Sequence, residues 1–328
     1  SAASDVYKRQ GGTYFYVERS LGSIFGLFSG LANWFSLALK SAFAIVGMAI
    51  FIQVMGEKIG GLSLSELHLK EIAVFCCLIF TVLNLVSVKQ TGRFQVFLVV
   101  ILLAILALFV VLGAGSVSAV RYKGFMDKGW SAVLATTGLV FISFGGLTKV
   151  ASIAEEVKNP ARNLTLGMIL ACVIVSVFYV AVITITIGIV DGTELAGSLM
   201  PISLAASKFM PLGFTILGIA AVTAFVTTAN GGILAASRSP MAMSRDRLLP
   251  PVLAKVSGRF QTPHISIAVT AGFMIAAIVF LDIEELVKTA STLMIILFIL
   301  DNSSVIIMRE SRIQSYRPKF RSPLYPYI

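Results

Sequence analysis

Three ionisable side chains lie inside long apolar stretches of this sequence: Lys40 in WFSLALKSAF, Lys149 just beyond the paired glycines of SFGGLTKV, and Asp301 in LFILDNSSVIIM. A charge at the centre of a bilayer costs about 2.5–3.5 kcal/mol on insertion scales, so such a residue marks function by default. Two chemistries are open to them. They can form an internal charge pair that holds helices together, or they can exchange protons and meet a bound solute, since a low dielectric disfavours the charged form of lysine. Counting along their stretches places Lys149 and Asp301 at similar depth, which makes them the expected pair, with Lys40 the competing partner. Lys288 lies close enough to the end of its stretch to snorkel to the surface.

Polar groups and glycines supply further candidates. Gly145 and Gly146 sit near the middle of SAVLATTGLVFISFGGLTKVASIAEEVKNP, flanked by Ser143, Phe144, Leu147 and Thr148. Paired glycines either let helices approach closely or weaken a helix enough to open its backbone, which a membrane tolerates only beside protein or a water-filled cavity. The neighbouring aromatic and hydroxyl groups favour the open form, a half-helix end of the kind that holds charged solutes at the midplane. Thr227, Thr228 and Asn230 place oxygens within another apolar stretch, where core hydrogen bonding is one reading and an ion site another. Glu155 and Glu156 precede Asn159-Pro160, a helix stop and restart; they are either a solvated helix end or a gate that pairs with Arg238 or Arg245. Cys76, Cys77 and Cys172 lie in apolar runs as buried thiols, and His68 and His264 lack acidic or thiol companions. No catalytic cluster, metal site or cofactor motif is expected.

The elements that must position these groups follow from composition. The 328 residues are 57% hydrophobic and 13% charged with a mean hydropathy of +0.92, more apolar surface than a soluble fold can hide. Windows of membrane width select eight runs, near 21 to 55, 71 to 88, 94 to 115, 131 to 155, 164 to 190, 211 to 237, 263 to 281 and 286 to 308. The fold is therefore all-α, a polytopic membrane helix bundle, and the first run is long enough to require strong tilt. Most of the 26 Lys and Arg fall in segments on the side that holds both ends, which by the positive-inside rule is cytoplasmic. Topology thus accounts for the net charge of +10 without nucleic acid. The polar residues 1–10 read as a non-native leader, residues 11–328 as one transmembrane domain incomplete at both ends.

Four motifs, GGTYFYVERSLG at 11 to 22, SFGGLTKVASIAEEVKNP at 143 to 160, ASRSPMAMSRDRLLPP at 236 to 251 and YRPKFRSPLYP at 316 to 326, appear in this order among the apolar runs. With them the chain resembles the amino acid–polyamine–organocation family of permeases, and the eight runs resemble that family's third to tenth helices. The resemblance implies part of a leucine-transporter-type inverted-repeat fold, in which amino acids bind between two broken helices and cross the plasma membrane by alternating access, with a proton or sodium ion, or by exchange. It places the glycine of the unwound substrate-binding stretch on Gly146 and its preceding aromatic on Phe144; Gly145, Leu147 and Thr148 complete that stretch. Leu102 stands where proton-coupled members carry an amine. Thr227 and Thr228 lie on the helix that supplies hydroxyls to a sodium site in some relatives. The other class of function considered is a channel or receptor-like membrane subunit, for which the sequence has no filter loop between spans.

Overall fold

The computed structural model describes residues 14–61, 66–86, 91–124, 126–146, 159–258, 260 and 262–311, all of it helix, turn or irregular connection. In chain order the α-helices are α1 (Tyr14–Leu21), α2 (Ser23–Gly60), α3 (Glu66–Val86), α4 (Thr91–Gly113), α5 (Gly129–Val140), α6 (Pro160–Ile189), α7 (Gly192–Ala196), α8 (Pro201–Ser207), α9 (Gly213–Arg245), α10 (His264–Phe280) and α11 (Ile283–Glu310). Six of these, α2, α3, α4, α6, α9 and α11, are long and apolar enough to cross a membrane, and α5 and α10 are shorter apolar helices. Each of the eight apolar runs therefore corresponds to a helix, but among the described residues only six reach spanning length.

Local chemistry sets the helix limits. At 38 residues, α2 is about 57 Å long, well beyond a hydrocarbon core of about 30 Å. It starts after Gly22, whose φ of 94° turns the chain out of α1, and stops at Gly61, whose left-handed φ of 67° lets its N–H reach the carbonyls of Glu57 and Gly56. Pro160 opens α6 at the first helical position, where its missing N–H costs no bond. Asp282 and Glu285 form a reciprocal capping box at the start of α11. One turn further on, Lys288 pairs with Glu284 at 2.6 Å on the exposed surface, in keeping with its place near the end of its helix.

Helices in lipid associate through packing and interhelical hydrogen bonds, because lipid tails are as apolar as leucine. The long α2 is the centre of that packing, and α9 and α11 make its most extensive contacts. Its buried face is rich in small residues, Ala38, Ser41, Ala42 and Ala49, which let neighbours approach. At Gly47 the approach is close enough that a Cβ would lie 2.9 Å from the ring of Phe225 on α9. The buried residues fall into two main groups. One joins α2, α3, α9, α10 and α11; the other joins α4, α6, α8 and the start of α9. Outward positions of α3, α4 and α6, such as Phe75, Val100 and Val177, are exposed as a lipid-facing surface requires. On the face where α6 gives way to α7, Arg121 pairs with Asp191 at 2.8 Å and Lys208 with Glu194 at 2.9 Å.

Candidate functional site

The apolar segment that carries the paired glycines does not continue as an α-helix. Regular α-structure ends at Val140, residues Phe141–Phe144 form a 3-10 turn, and Gly145 and Gly146 form a further turn. The departure starts several residues before the glycines, earlier than their position alone indicates. Gly145 is buried and Gly146 exposed; a Cβ at Gly146 would meet nothing within 4 Å. Close packing against the described residues is thus not what requires glycine at 146. Among the described residues, nothing covers its backbone on that side.

Two aromatic contacts bracket this interruption. Phe141 meets Phe298 of α11 edge-on with centroids 5.4 Å apart, and Phe144 meets Tyr179 of α6 in the same manner at 5.4 Å. The Tyr179 hydroxyl also reaches the Ser143 carbonyl at 3.5 Å, a long hydrogen bond to a carbonyl at the end of the helix. Asp301 follows Phe298 by three positions, one turn along the same helix face, so α11 brings a carboxylate towards the interruption. Asp301 Oδ1 is buried and accepts no hydrogen bond among the described residues.

The register of α2 against α11 decides one of the expected charge pairs. Ser36 Oγ donates to the Ala290 carbonyl at 3.1 Å, and Ser20 Oγ donates to Ser304 Oγ at 2.7 Å, so the helices run antiparallel. From the Ser36–Ala290 contact, Lys40 lies four residues one way and Asp301 eleven residues the other, a separation of about 22 Å along the axes. Lys40 is therefore not the partner of Asp301; it occupies the opposite half of the bundle. Lys149, the preferred partner, lies outside the described residues, as do Leu147, Thr148, Glu155 and Glu156.

On α9, Thr227 Oγ1 donates back to the Ala224 carbonyl of its own helix at 2.9 Å, and Thr228 is half-buried one position further on. Asn230 has an interhelical role. Its Oδ1 accepts from Asn84 Nδ2 of α3 at 2.7 Å, and Asn84, only 4% exposed, also donates to the Phe80 carbonyl at 2.8 Å. Asn84 was not singled out from the sequence, although a lone amide in FTVLNLV is a signal of the same kind as Asp301. Nor was Tyr179, which an apolar helix hides among its other aromatics. Trp34 of α2 forms a third polar tie, donating from Nε1 to Thr270 Oγ1 of α10 at 3.0 Å while its ring lies 4.9 Å from Phe35.

Among the described residues no group of three or more His, Cys, Asp or Glu could hold a metal ion. The helices form a multi-pass integral membrane protein. A branched-chain amino acid permease of Bacillus subtilis (strain 168) is 30% identical over 253 residues, 76% of this chain and 53% of its own length. A methylthioribose transporter from the same organism is 30% identical over 260 residues, covering 78% and 55%. A vacuolar cationic amino acid transporter of Arabidopsis thaliana is 30% identical over 245 residues, covering 72% and 40%. The chain thus spans about half the length of the curated relatives it matches. The sequence pattern of amino acid permeases matches residues 2–328, running through the interrupted segment and all of the packed helices, and the chain belongs to that family of transporters rather than to any class of enzyme.

Proposed function

We propose that this protein carries amino acids across a membrane by alternating access, with the substrate held at the interruption that starts at Phe141. The observation that carries the reading is the loss of α-structure from Phe141 to Gly146 inside an apolar segment. There, backbone groups freed from the helix face a solute instead of the preceding turn. Phe144, Gly145 and Gly146, with Leu147 and Thr148, form the binding stretch, and Tyr179 supports its aromatic wall. Two of the relatives named above are amino acid transporters by name, which supports the substrate class.

In this reading the eight apolar helices are spans of a leucine-transporter-type inverted repeat, residues 11–328 belong to one transporter domain, and both ends of the chain are cytoplasmic at the plasma membrane. Coupling is to protons or by exchange. Asp301 is the intramembrane acid beside the interruption and Lys149 its partner; Lys40 is a separate ionisable group in the other half. A sodium site at Thr227 and Thr228 is the alternative; Thr227 donates its proton to its own helix, which leaves its oxygen lone pairs open to a cation. Glu155 and Glu156 serve as a cytoplasmic gate.

Uptake of a panel of labelled amino acids into proteoliposomes containing the intact permease tests this. Wild type is expected to show saturable uptake of at least one. Gly146→Leu, which places a side chain in space that the described residues leave empty, should abolish uptake while the protein still purifies as a folded species. Undiminished uptake by Gly146→Leu would refute the location of the site, and saturable flux of none of the panel would refute the substrate class.

A further inference from the structure

Where α1 and the start of α2 meet the end of α9, a cleft of about 550 Å³ is lined by Glu18, Arg19, Ser23, Arg245, Asp246 and Arg247, with Phe15 as its apolar wall. Its α1 wall is tied to α11 at Ser20–Ser304, about 9 Å along that helix from the Phe298 that meets the interruption, and none of its lining residues belongs to the interruption. Its three guanidiniums and two carboxylates leave a local charge of +1. Among the described residues none of the three arginines forms an ion pair, and Arg19 only stacks on the Phe15 ring, with its guanidinium carbon 4.3 Å from the centroid. Asp246 instead accepts from the Tyr14 hydroxyl, which ties α1 to the end of α9. The arginines are thus held close to one another without the carboxylates neutralising them.

The backbone at this point is strained in a way that keeps the arginines together. The chain leaves α9 through a Schellman turn, in which Leu248 N donates to the Met243 carbonyl and Arg247 N to the Ser244 carbonyl. The turn residue is Arg247, at a left-handed φ of 63° that glycine adopts far more readily. An arginine there costs stability, and what it supplies in exchange is a third guanidinium facing the cleft.

Depth and surroundings identify the ligand. Ser23 is the first residue of one candidate span and Arg245 the last of another, so the cleft lies where hydrocarbon gives way to headgroups. Immediately beside Ser23, at the start of α2, Ile24 is 84% exposed, and Phe25 and Phe28 are also exposed. A soluble anion has no use for that apolar surface, whereas acyl chains would cover it. We propose that this cleft binds the phosphodiester headgroup of an anionic phospholipid. The guanidiniums take the phosphate oxygens, the single negative charge balances the local +1, and Glu18 accepts from hydroxyls at the headgroup tip. The occupant is a lipid of the leaflet on this face, independent of the solute transported.

Native mass spectrometry of the purified, delipidated permease titrated with phosphatidylglycerol or phosphatidylcholine tests the assignment, with excess inorganic phosphate as a competitor. Wild type should retain phosphatidylglycerol in preference to phosphatidylcholine and should hold it against inorganic phosphate. Each arginine removed should weaken retention roughly fivefold, and Arg19→Gln, Arg245→Gln and Arg247→Gln together roughly a hundredfold. Arg247→Gly relieves the backbone and so folds at least as well as wild type, yet it should lose the same fivefold. Lys123→Gln with Lys128→Gln, outside the cleft, should leave retention unchanged. Equal retention by the triple variant, equal affinity for phosphatidylcholine, or displacement by inorganic phosphate would each overturn the proposal, the last by showing a site for a soluble anion.

Discussion

Replacing Asn84 with leucine tests the only amide–amide contact between α3 and α9 among the described residues. In the native protein Asn84 places its two amide hydrogens on the Phe80 carbonyl at 2.8 Å and on Asn230 Oδ1 at 2.7 Å. Leucine fills nearly the same volume, so no large cavity forms, and the Phe80 carbonyl can keep the i→i+4 backbone bond of α3. The group stranded is Asn230 Oδ1. A buried acceptor left without a donor costs about 1–3 kcal/mol in water-soluble proteins, while polar ties between membrane helices average about 0.6 and reach about 1.7 kcal/mol. With Asn84 almost fully buried, the upper part of the membrane range applies, and Asn84→Leu should destabilise by about 1–1.5 kcal/mol. Asn230→Leu should cost a similar amount by stranding an Asn84 hydrogen. The double variant has no stranded group, so it should lie within about 0.5 kcal/mol of wild type, a coupling of about 1.5–2.5 kcal/mol. Reversible unfolding in mixed micelles, titrated with a denaturing detergent, reads all four corners of this cycle. Additive single costs, with coupling below about 0.3 kcal/mol, would refute the claim that this contact is an interhelical brace.

Three further outcomes follow from the packing. Gly47→Val should destabilise the α2–α9 contact by about 1–3 kcal/mol, since its Cβ would begin 2.9 Å from the Phe225 ring, and Phe225→Ala should restore part of that loss in the same unfolding assay. Arg247→Gly should raise stability by about 1 kcal/mol by removing an L-residue from the left-handed region, visible as a shift in the detergent midpoint. Tyr179→Phe should change transport little, because the hydroxyl contact is 3.5 Å long; Tyr179→Ala removes the ring against Phe144 and should raise KM for uptake more than it lowers the maximal rate.

Much of the helix order was legible because hydropathy over a membrane-wide window responds to long-range environment directly, and each apolar run found a helix. What window averages miss are the points where single residues act through geometry. Gly22 separates α1 from α2 with a positive φ, which no hydropathy value registers. Regular structure in the glycine-bearing segment ends at Val140 because aromatic contacts to α6 and α11 hold Phe141 and Phe144 in place, and both partners are distant in sequence. Counting residues from helix ends gave Lys40 and Asp301 as possible partners; the antiparallel register set by Ser36 and Ala290 separates them. The short helices α7 and α8 were invisible to a reading tuned to spans because they are only five and seven residues long; surface ion pairs flank them, and α8 is seated by its buried Ala205 and Ala206. Tyr179 and Asn84 show the same limit, as each matters for its partner on another helix.

The helix α9 belongs to both packed groups, and its buried partners change within one turn. Up to Leu217 it shares its buried core with α4, α6 and α8, and from Val222 onward with α2, α3, α10 and α11, while the end of α2 reaches back across the change, with Lys58 over the Phe214 ring and Met55 against Gly218. Only Gly218–Ala221, a single turn, lies between. That turn contains a glycine, and its side-chain space is taken by the thioether of Met55 and the methyl of Met200, the most compliant kind of neighbour a core offers. Two blocks that share one continuous rod cannot slide past each other along it without stretching the rod. A bend of α9 at the glycine-bearing turn would change the angle between the two groups without sliding either along the helix, and α2, which touches α9 on both sides of that turn, would have to bend with it.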